Sequence, residues 1–199
     1  MTRDEVRAKA VDGLLALASE GGAISLAAVA GKADLALDDL AGHGLTLACL
    51  LRALDKRFDA AAMAGVRGVD ASEGARDRLF DAMMKRFEAM EPHKAAILAI
   101  RTLERGDPAA RAALAARRLR TALWLLEAAG VSVLGLKGAA RAAGLARILA
   151  RVERVWRKDG PDFTQTMAAL DAALREAEEA EGRLAPLARM LRRGRAGAA

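Results

Sequence analysis

The stretch SLAAVAGKADLALDDLAGHGLTLACLL, residues 25–51, decides the fold. Ser25 is a good N-cap, because its hydroxyl can accept a hydrogen bond from an unpaired amide of a first helical turn. Apolar residues follow at helical spacing, a polar break comes at residues 34–36, and a second short helix is predicted over residues 37–42. Two glycines end that helix, and a long apolar helix begins at Leu45. Two short helices joined by a tight turn are the pattern of a helix-turn-helix.

In order and spacing, this stretch resembles the helix-turn-helix of the TetR family of bacterial regulators. The scaffold positions of that family are matched without gaps by Gly21, Ser25, Val29, Ala30, Ala33, Leu35, Leu40, Leu50 and Leu51. Other positions depart from the family: Asp34 replaces its turn Gly, Asp38 and Asp39 its Gly-Thr pair, Ala41 its Tyr, Gly44 its Phe and Leu47 its Lys. The resemblance implies an all-α, TetR-like fold with an N-terminal three-helix domain and a C-terminal helical domain for ligand binding and dimerisation. It also implies a homodimer through the last two helices.

The charge of the stretch is unusual for a DNA-binding element, whose affinity comes mostly from Lys and Arg near phosphates. Residues 25–51 contain one Lys and three Asp. A recognition helix enters the major groove by its N-terminal end, where these acids lie, and a carboxylate about 4 Å from a phosphate costs roughly 1 kcal/mol even in water. We interpret the acids first as helix caps, worth about 0.3–1 kcal/mol. The residues that remain candidates for DNA contact are Ser25, Lys32, Leu37 and His43.

The composition predicts helices throughout and a cytosolic protein. Hydrophobic residues make up 53% of the 199-residue chain, aromatics only 3%, and Tyr is absent. The single cysteine, Cys49, argues against disulfides and fits a reducing compartment. The charged N-terminal residues do not resemble a signal peptide. The longest apolar run, residues 123–136, contains Glu127 and is too short to span a bilayer. We therefore expect a cytoplasmic location, with contact to the inner face of the membrane as a further hypothesis.

The chain divides into four predicted parts. Residues 1–51 form the helix-turn-helix domain and residues 52–74 the connecting helix and linker. Residues 75–182 form the ligand-binding and dimerisation domain, and residues 183–199 a basic C-terminal tail. Gly135, Gly138 and Gly144, within the helix predicted over 133–158, predict a close approach or a break, since each Gly costs about 1 kcal/mol in a helix interior.

The second domain carries its own resemblance. Residues 77–97 and 155–174 resemble a subset of TetR-like proteins, and the second segment also resembles the lipid-binding accessory proteins of ubiquinone biosynthesis, which share the fold and have lost DNA binding. The aromatic block of those accessory proteins is missing here. An apolar small molecule or lipid is the implied ligand. Candidate pocket residues on apolar helix faces are Phe80, Met83, Phe87, Met90, Trp124, Leu149 and Trp156. The same residues would also serve as an ordinary core.

Positive charge is concentrated away from the helix-turn-helix. Residues 1–60 hold seven basic and nine acidic side chains, within a chain whose net charge is +6, whereas residues 101–158 hold thirteen basic and four acidic ones. Such a surface is either an ordinary solvated one or a contact for anionic lipid. In the tail, apolar residues alternate with basic ones, which fits a short membrane-surface helix or a frayed terminus. The candidates for membrane contact are Arg189, Arg192, Arg193 and Arg195.

The sequence contains little that could perform catalysis. Its two histidines lie in separate predicted elements, and neither a CxxC motif nor a phosphate-binding glycine loop is present. We therefore expect no enzymatic activity, no metal site and no cofactor. The first functional hypothesis is a ligand-responsive transcriptional regulator that binds DNA as a dimer. The alternative is a membrane-associated protein that binds lipid or isoprenoid without binding DNA, and the third is a purely structural dimerisation partner.

Overall fold

A computed structural model describes the backbone of residues 1–66 and 73–196, and the side chains of residues 1–66 and 73–183. The α-helices in these ranges are α1 (Arg3–Ser19), α2 (Leu26–Lys32), α3 (Leu37–Gly42), α4 (Leu47–Val66), α5 (Ala75–Met90), α6 (Lys94–Gly106), α7 (Pro108–Ala128), α8 (Gly135–Trp156) and α9 (Thr164–Ala196). A 3-10 turn, Glu91–His93, joins α5 to α6. No β-strand occurs in the described backbone, which confirms the all-α prediction.

Helix α1 connects the N-terminal helices to the rest of the fold. It begins with a capping box, in which Thr2 Oγ1 accepts from the Glu5 amide (3.3 Å) and Glu5 Oε2 accepts from the Thr2 amide (2.7 Å). The helical spacing of the apolar residues predicts one buried side, and this side is buried at Val6, Val11, Leu14, Leu15 and Ala18. The helix contacts α2, α3 and α4, and it also contacts α6. The helix-turn-helix therefore packs on a helix that is itself bound to the C-terminal part of the chain.

Helix α8 begins at Gly135 and continues through Gly138 and Gly144, three glycines at which a close approach or a break was predicted. The close approach is confirmed at Gly138, since a Cβ there would lie 1.9 Å from the Val133 carbonyl carbon. A Cβ at Gly144 would meet nothing within 4 Å and the helix is unbroken there, so the prediction was wrong at Gly144, because one glycine costs only about 1 kcal/mol in a helix. The linker predicted at the end of the segment 52–74 falls largely on residues 67–72, which are outside the described ranges.

A network of buried ion pairs joins α4, α5, α6, α7 and α8, and we call it the ion network. Its members are Asp55, Asp59, Arg86, Arg101, Glu104, Arg117, Arg118, Glu153 and Arg157. Six of them are buried in the fold, three carboxylates and three guanidinium groups. A charge removed from water is costly unless it is paired and hydrogen-bonded. Opposite charges from different helices must therefore meet in one place.

Asp55 of α4 lies at the meeting point of three arginines. Its Oδ2 accepts from Arg117 Nε at 2.6 Å, and its Oδ1 lies 3.4 Å from both Arg86 Nη2 and Arg101 Nη2. Burial alone would raise the pKa of Asp55, but the three guanidinium groups, Arg101 most strongly, hold it below its ordinary value. Asp59, one turn later, has a raised pKa because burial dominates there. Asp55 is therefore the ionised centre of the ion network.

Glu153 of α8 holds the other side of the network. Its Oε1 accepts from Arg101 Nε at 3.1 Å, and its Oε2 accepts from Arg118 Nη2 at 2.8 Å. Burial alone would raise the pKa of Glu153, but Arg101 and then Arg118 outweigh it and lower the pKa to about 2. The ionised form is thus the one that belongs to the folded state.

Helix α7 turns only part of its predicted apolar side inward. Its apolar spacing predicts Leu114, Leu119, Leu123 and Trp124 on or near that side, and Leu114 is buried, whereas Leu119 and Trp124 are 40% and 57% exposed. The buried side also carries Arg117, which joins the ion network, and Thr121, whose hydroxyl donates to Asp59 at 2.9 Å. Because these polar groups need buried partners, the network sets the rotation of α7 and leaves Trp124 outside.

We predict that Glu153→Gln lowers the free energy of unfolding by about 3 kcal/mol at about pH 7, since Arg101 is left buried without this partner. Because folding lowers the pKa of Glu153, its carboxylate stabilises the fold fully at pH values above its ordinary pKa of 4.5. This stabilisation is lost as the pH falls toward about 2. The free energy of unfolding of the wild type, measured with urea, should therefore fall as the pH is lowered across this range. That of the variant should fall less.

The matched control is Glu176→Gln, which removes an exposed carboxylate paired with Arg151 at 2.7 Å. Its stability should remain close to that of the wild type, because exposed ion pairs contribute little. Equal losses in the two variants would contradict the importance given to the ion network.

Candidate functional site

The helix-turn-helix has the local geometry that its sequence predicts. Helices α2 and α3 have the expected bounds, and Ser25 Oγ accepts from the Ala28 amide at 3.2 Å, which confirms the cap. Asp34, in the turn, has a φ of 51°, the left-handed region that a glycine usually occupies and that Asp tolerates. Asp39 Oδ2 accepts from the Ala36 amide at 2.9 Å, so this acid stabilises the start of α3.

The exposed surface of this motif is acidic. Asp34, Asp38 and Asp39 all lie at the surface, in the turn and the first turn of α3. Lys32, the only basic residue of the stretch, forms an ion pair with Glu20, with Nζ and Oε1 2.7 Å apart. A DNA backbone approaching α3 would therefore meet carboxylates first, which opposes binding.

The four candidates for DNA contact occupy different environments. The hydroxyl of Ser25 is engaged in its cap, and the ammonium of Lys32 is paired with Glu20. The side chain of Leu37 is 47% exposed at the start of α3. His43 is half-buried and terminates α3, with its amide donating to the Asp39 carbonyl at 3.3 Å. The motif therefore presents one apolar side chain and several acids to solvent.

Five of the candidate pocket residues lie in the packed core. They are Met83, Phe87, Met90, Leu149 and Trp156, each at most 3% exposed. The rings of Phe87 and Trp156 have centroids 5.9 Å apart. Trp156 Nε1 donates to Glu91 Oε2 at 2.6 Å, and Lys94 Nζ lies 5.0 Å from its ring centroid. These side chains contribute to the hydrophobic core of the C-terminal helices.

The other two candidate pocket residues lie apart from that group. Phe80 is half-buried and lines a surface groove of about 270 Å³ with residues of α5 and α9, among them Asp77, Asp171 and Leu174. Trp124 is 57% exposed on α7, for the reason given above. The predicted set is therefore divided between the core and two surface positions.

A larger groove lies between α1 and α4 and was not predicted from the sequence. It has a volume of about 500 Å³ and is lined by Arg3, Asp4, Arg7, Ala8, Val11, Leu45, Cys49, Arg52, Ala53, Lys56, Arg57 and Ala60. The two helices run side by side in the same direction, since Arg3 and Cys49 share the groove near their starts and Asp12 pairs with Arg57 further along, at 2.7 Å. We call this feature the α1–α4 groove.

The net acidic charge of residues 1–60 gave no indication of a basic groove. The acidic excess of that segment includes Asp55 and Asp59, both of which are turned into the ion network. Without these two, the basic and acidic residues of the segment are equal in number, and five of the basic ones line one groove. The sequence signal that could have shown it is the i, i+4 spacing of Arg3 with Arg7 and of Arg52 with Lys56.

Cys49 lies half-buried in the α1–α4 groove, and the pKa of its thiol is lower than that of an ordinary cysteine. Thr46 Oγ1 donates to Cys49 Sγ at 3.3 Å and accepts from the Cys49 amide at 3.3 Å. These hydrogen bonds lower the pKa of the Cys49 thiol, and the charges of Arg52 and Arg3 lower it further. The thiol is therefore a chemical reporter for this groove.

A second surface feature lies at the corner where α7 passes into α8. Leu134 and Leu136 are 81% and 93% exposed, on either side of Gly135, whose φ is 65°. Arg78 donates to the Ala129 carbonyl at 2.8 Å, and Arg141 donates to the Ser132 carbonyl at 3.2 Å. The backbone of this α7–α8 corner is thus held by two arginines while its leucines point to solvent.

The last helix continues from this same corner. Glu181 of α9 pairs with Lys137 at 2.8 Å and also with Arg141, so the tail after residue 182 begins beside the corner. The backbone of α9 is helical as far as Ala196. The side chains of Arg189, Arg192, Arg193 and Arg195 lie outside the described residues, so their predicted membrane contact remains a prediction.

No protein-family model matches the chain, and no curated protein matches it.

None of the helices in the described residues combines the length and the apolar character that crossing a membrane requires. The described side chains also bring together no group of three or more His, Cys, Asp or Glu residues able to hold a metal ion. Three surface features of the described residues are candidate sites: the α1–α4 groove, the α7–α8 corner and the surface of the helix-turn-helix.

We predict that Thr46→Ala raises the pKa of Cys49, because the hydrogen bonds that favour its thiolate are lost. Alkylation by iodoacetamide, followed across pH, should then reach its half-maximal rate at a higher pH. Ser25→Ala is the control, since it removes the corresponding cap of α2 without touching Cys49. An unchanged midpoint in Thr46→Ala would show that Thr46 does not control the acidity of this thiol.

Proposed function

We propose that this chain is a dimeric, TetR-like protein that binds lipid at the surface of an anionic membrane, with its helix-turn-helix retained as a scaffold. The observation that carries the proposal is the pair of leucines, Leu134 and Leu136, held almost fully exposed at the α7–α8 corner. Single exposed apolar residues are common, but two of them presented by one hydrogen-bonded turn favour contact with an apolar phase.

The charges around this corner suit anionic lipid. Arg78, Lys137 and Arg141 surround the turn, with Glu181 as the acid that pairs with two of them. Each basic group near a membrane surface contributes about 1 kcal/mol of attraction to anionic headgroups. Leucines that enter the acyl region while these three basic side chains meet the headgroups would combine both sources of binding energy.

The basic tail supports the same orientation. Because Glu181 ties α9 to the corner, the segment that follows starts at the same end of the helical bundle as the exposed leucines. Residues 183–199 contain five arginines and no acid. Two membrane-binding signals at one end of a protein would bind more strongly than either does alone.

The surface of the helix-turn-helix supports the scaffold role. Its acids face solvent, Asp39 serves as a helix cap, and its one lysine is paired with Glu20. The packing of α2 and α3 on α1 needs only the apolar residues of the motif, and Val29, Ala30 and Leu40 are buried. The motif can therefore support the fold without reading a base sequence.

The homodimer is part of the proposal through the family resemblance, which implies contact between α8 and α9 of two copies. Exposed apolar side chains of these helices, such as Met167 at 39% exposure, are compatible with such a contact. The dimer would place two α7–α8 corners in one particle, and paired contacts bind a surface more tightly than single ones.

We predict that Leu134→Glu/Leu136→Glu weakens binding to phosphatidylglycerol-containing vesicles by about tenfold or more, since each leucine would otherwise transfer its side chain into lipid. Vesicle sedimentation of the full chain measures this. Leu103→Glu/Leu119→Glu is the matched control, because these leucines are 57% and 40% exposed on other helices. Equal binding by both double variants, or no vesicle binding by the wild type, would overturn the proposal.

A transcriptional regulator is the second candidate, favoured by the intact α2–α3 geometry and the Ser25 cap. If the motif binds duplex DNA, the affinity should fall steeply as the salt concentration rises, and Lys32→Glu should weaken binding. Lys158→Glu, which lies after α8 and outside the motif, should not weaken it. Fluorescence anisotropy with random duplex DNA at low salt checks this. Under the lipid-binding proposal we expect no measurable affinity for DNA.

A further inference from the structure

We propose that the α1–α4 groove binds an anionic amphiphile, meaning a phosphate or carboxylate head joined to an apolar chain. This site lies on the N-terminal helices, away from the α7–α8 corner, and it does not depend on the lipid-binding function proposed above. The proposal follows from three properties of the groove: its uncompensated positive charge, its apolar floor and its size.

The positive charge forms two facing rows. Arg3 and Arg7 lie one turn apart on α1, and Arg52 and Lys56 lie one turn apart on α4. Arg7 is paired with Asp4 at 2.9 Å, but Arg3, Arg52 and Lys56 make no ion pair with any described side chain. A cleft lined by one sign of charge focuses its field and raises the local concentration of a ligand of opposite sign.

The acids near the groove do not cancel this charge. Asp4 lines the groove and is already engaged with Arg7, and Asp12 neutralises Arg57 at 2.7 Å. The next acids of α4, Asp55 and Asp59, are turned away into the ion network. Three cations therefore remain available, and guanidinium groups bind phosphate and carboxylate through paired hydrogen bonds.

The floor between the two rows is apolar. Val11 and Leu45 are each 3% exposed beneath the groove, and Ala8, Ala53 and Ala60 extend the floor along the two helices. Small side chains at these positions leave the floor open instead of filling it. An apolar chain lying there would remove this surface from water while its head met the cations.

The size of the groove selects among anionic ligands. A volume of about 500 Å³ falls within the range of sites that bind small molecules. Inorganic phosphate would bind the basic side chains but leave the apolar floor of the groove exposed to water. A nucleic acid backbone would do the same. A ligand with both a charged head and an apolar chain uses all parts of the site, so we assign the groove to this class.

Titration calorimetry of the full chain with octyl phosphate tests the proposal. We expect saturable binding at least about tenfold tighter than that of inorganic phosphate, and also tighter than that of neutral octanol. The ligand should in addition slow alkylation of Cys49, because this thiol lines the groove. Binding of inorganic phosphate as tight as that of octyl phosphate, or no protection of Cys49, would overturn the assignment.

Arg52→Glu/Lys56→Glu should weaken octyl phosphate binding by about tenfold or more, since both cations are replaced by repelling charges. Arg147→Glu/Arg154→Glu makes the same change in net charge on the exposed side of α8 and should leave binding within about twofold of the wild type. Circular dichroism melting confirms that both variants fold. Equal weakening in the two variants would mean nonspecific attraction and would overturn the assignment.

The same variants separate this site from the membrane contact. Arg52→Glu/Lys56→Glu should bind phosphatidylglycerol vesicles as the wild type does, whereas Leu134→Glu/Leu136→Glu should keep its affinity for octyl phosphate. If the groove variant lost vesicle binding as well, the anionic head would belong to a bilayer lipid, and the assignment to a free amphiphile would be wrong.

Discussion

Each of the six buried charges of the ion network is paired with an opposite charge from another helix, and this requirement controls how the helices of the protein are arranged. Asp55 of α4 bonds to Arg117 of α7, and Glu153 of α8 bonds to Arg101 of α6. Apolar packing tolerates small rotations of a helix, but a buried ion pair does not, since a missing partner leaves a charge without water or a counterion. The network therefore sets the rotation of α7 and places Arg117 and Thr121 inward beside its buried leucines.

The same network decides the charge of a distant surface. Helix α4 carries acids and bases in close succession, with Asp55 and Asp59 facing the network and Arg52 and Lys56 facing the α1–α4 groove. One helix thereby separates its negative charges from its positive ones, and the groove becomes basic although its segment of sequence is not. A helix can act in this way because successive residues point about a quarter turn apart.

The helix-turn-helix has the shape that its sequence predicts, while its surface lacks the positive charge that DNA binding uses. Ser25 and Asp39 cap the two short helices, and buried Leu40 holds α3 against its neighbours. The surfaces that remain suited to ligands are the groove beside this motif and the corner with Leu134 and Leu136. Both combine apolar atoms with nearby cations, which is the chemistry of contact with anionic lipids and other amphiphiles.

The sequence by itself determined the helices, most clearly α1, α2 and α3, because caps, glycines and apolar spacing act over a few residues. It also predicted the buried side of α1. The ion network, the face of α7 and the α1–α4 groove were decided only by tertiary structure. Asp55 and Arg117 lie 62 positions apart, and a local pattern cannot show whether a charged residue meets a partner or solvent. The destination of each charge depends on which helices pack together, and the groove, its charge and its proposed ligand follow from that packing.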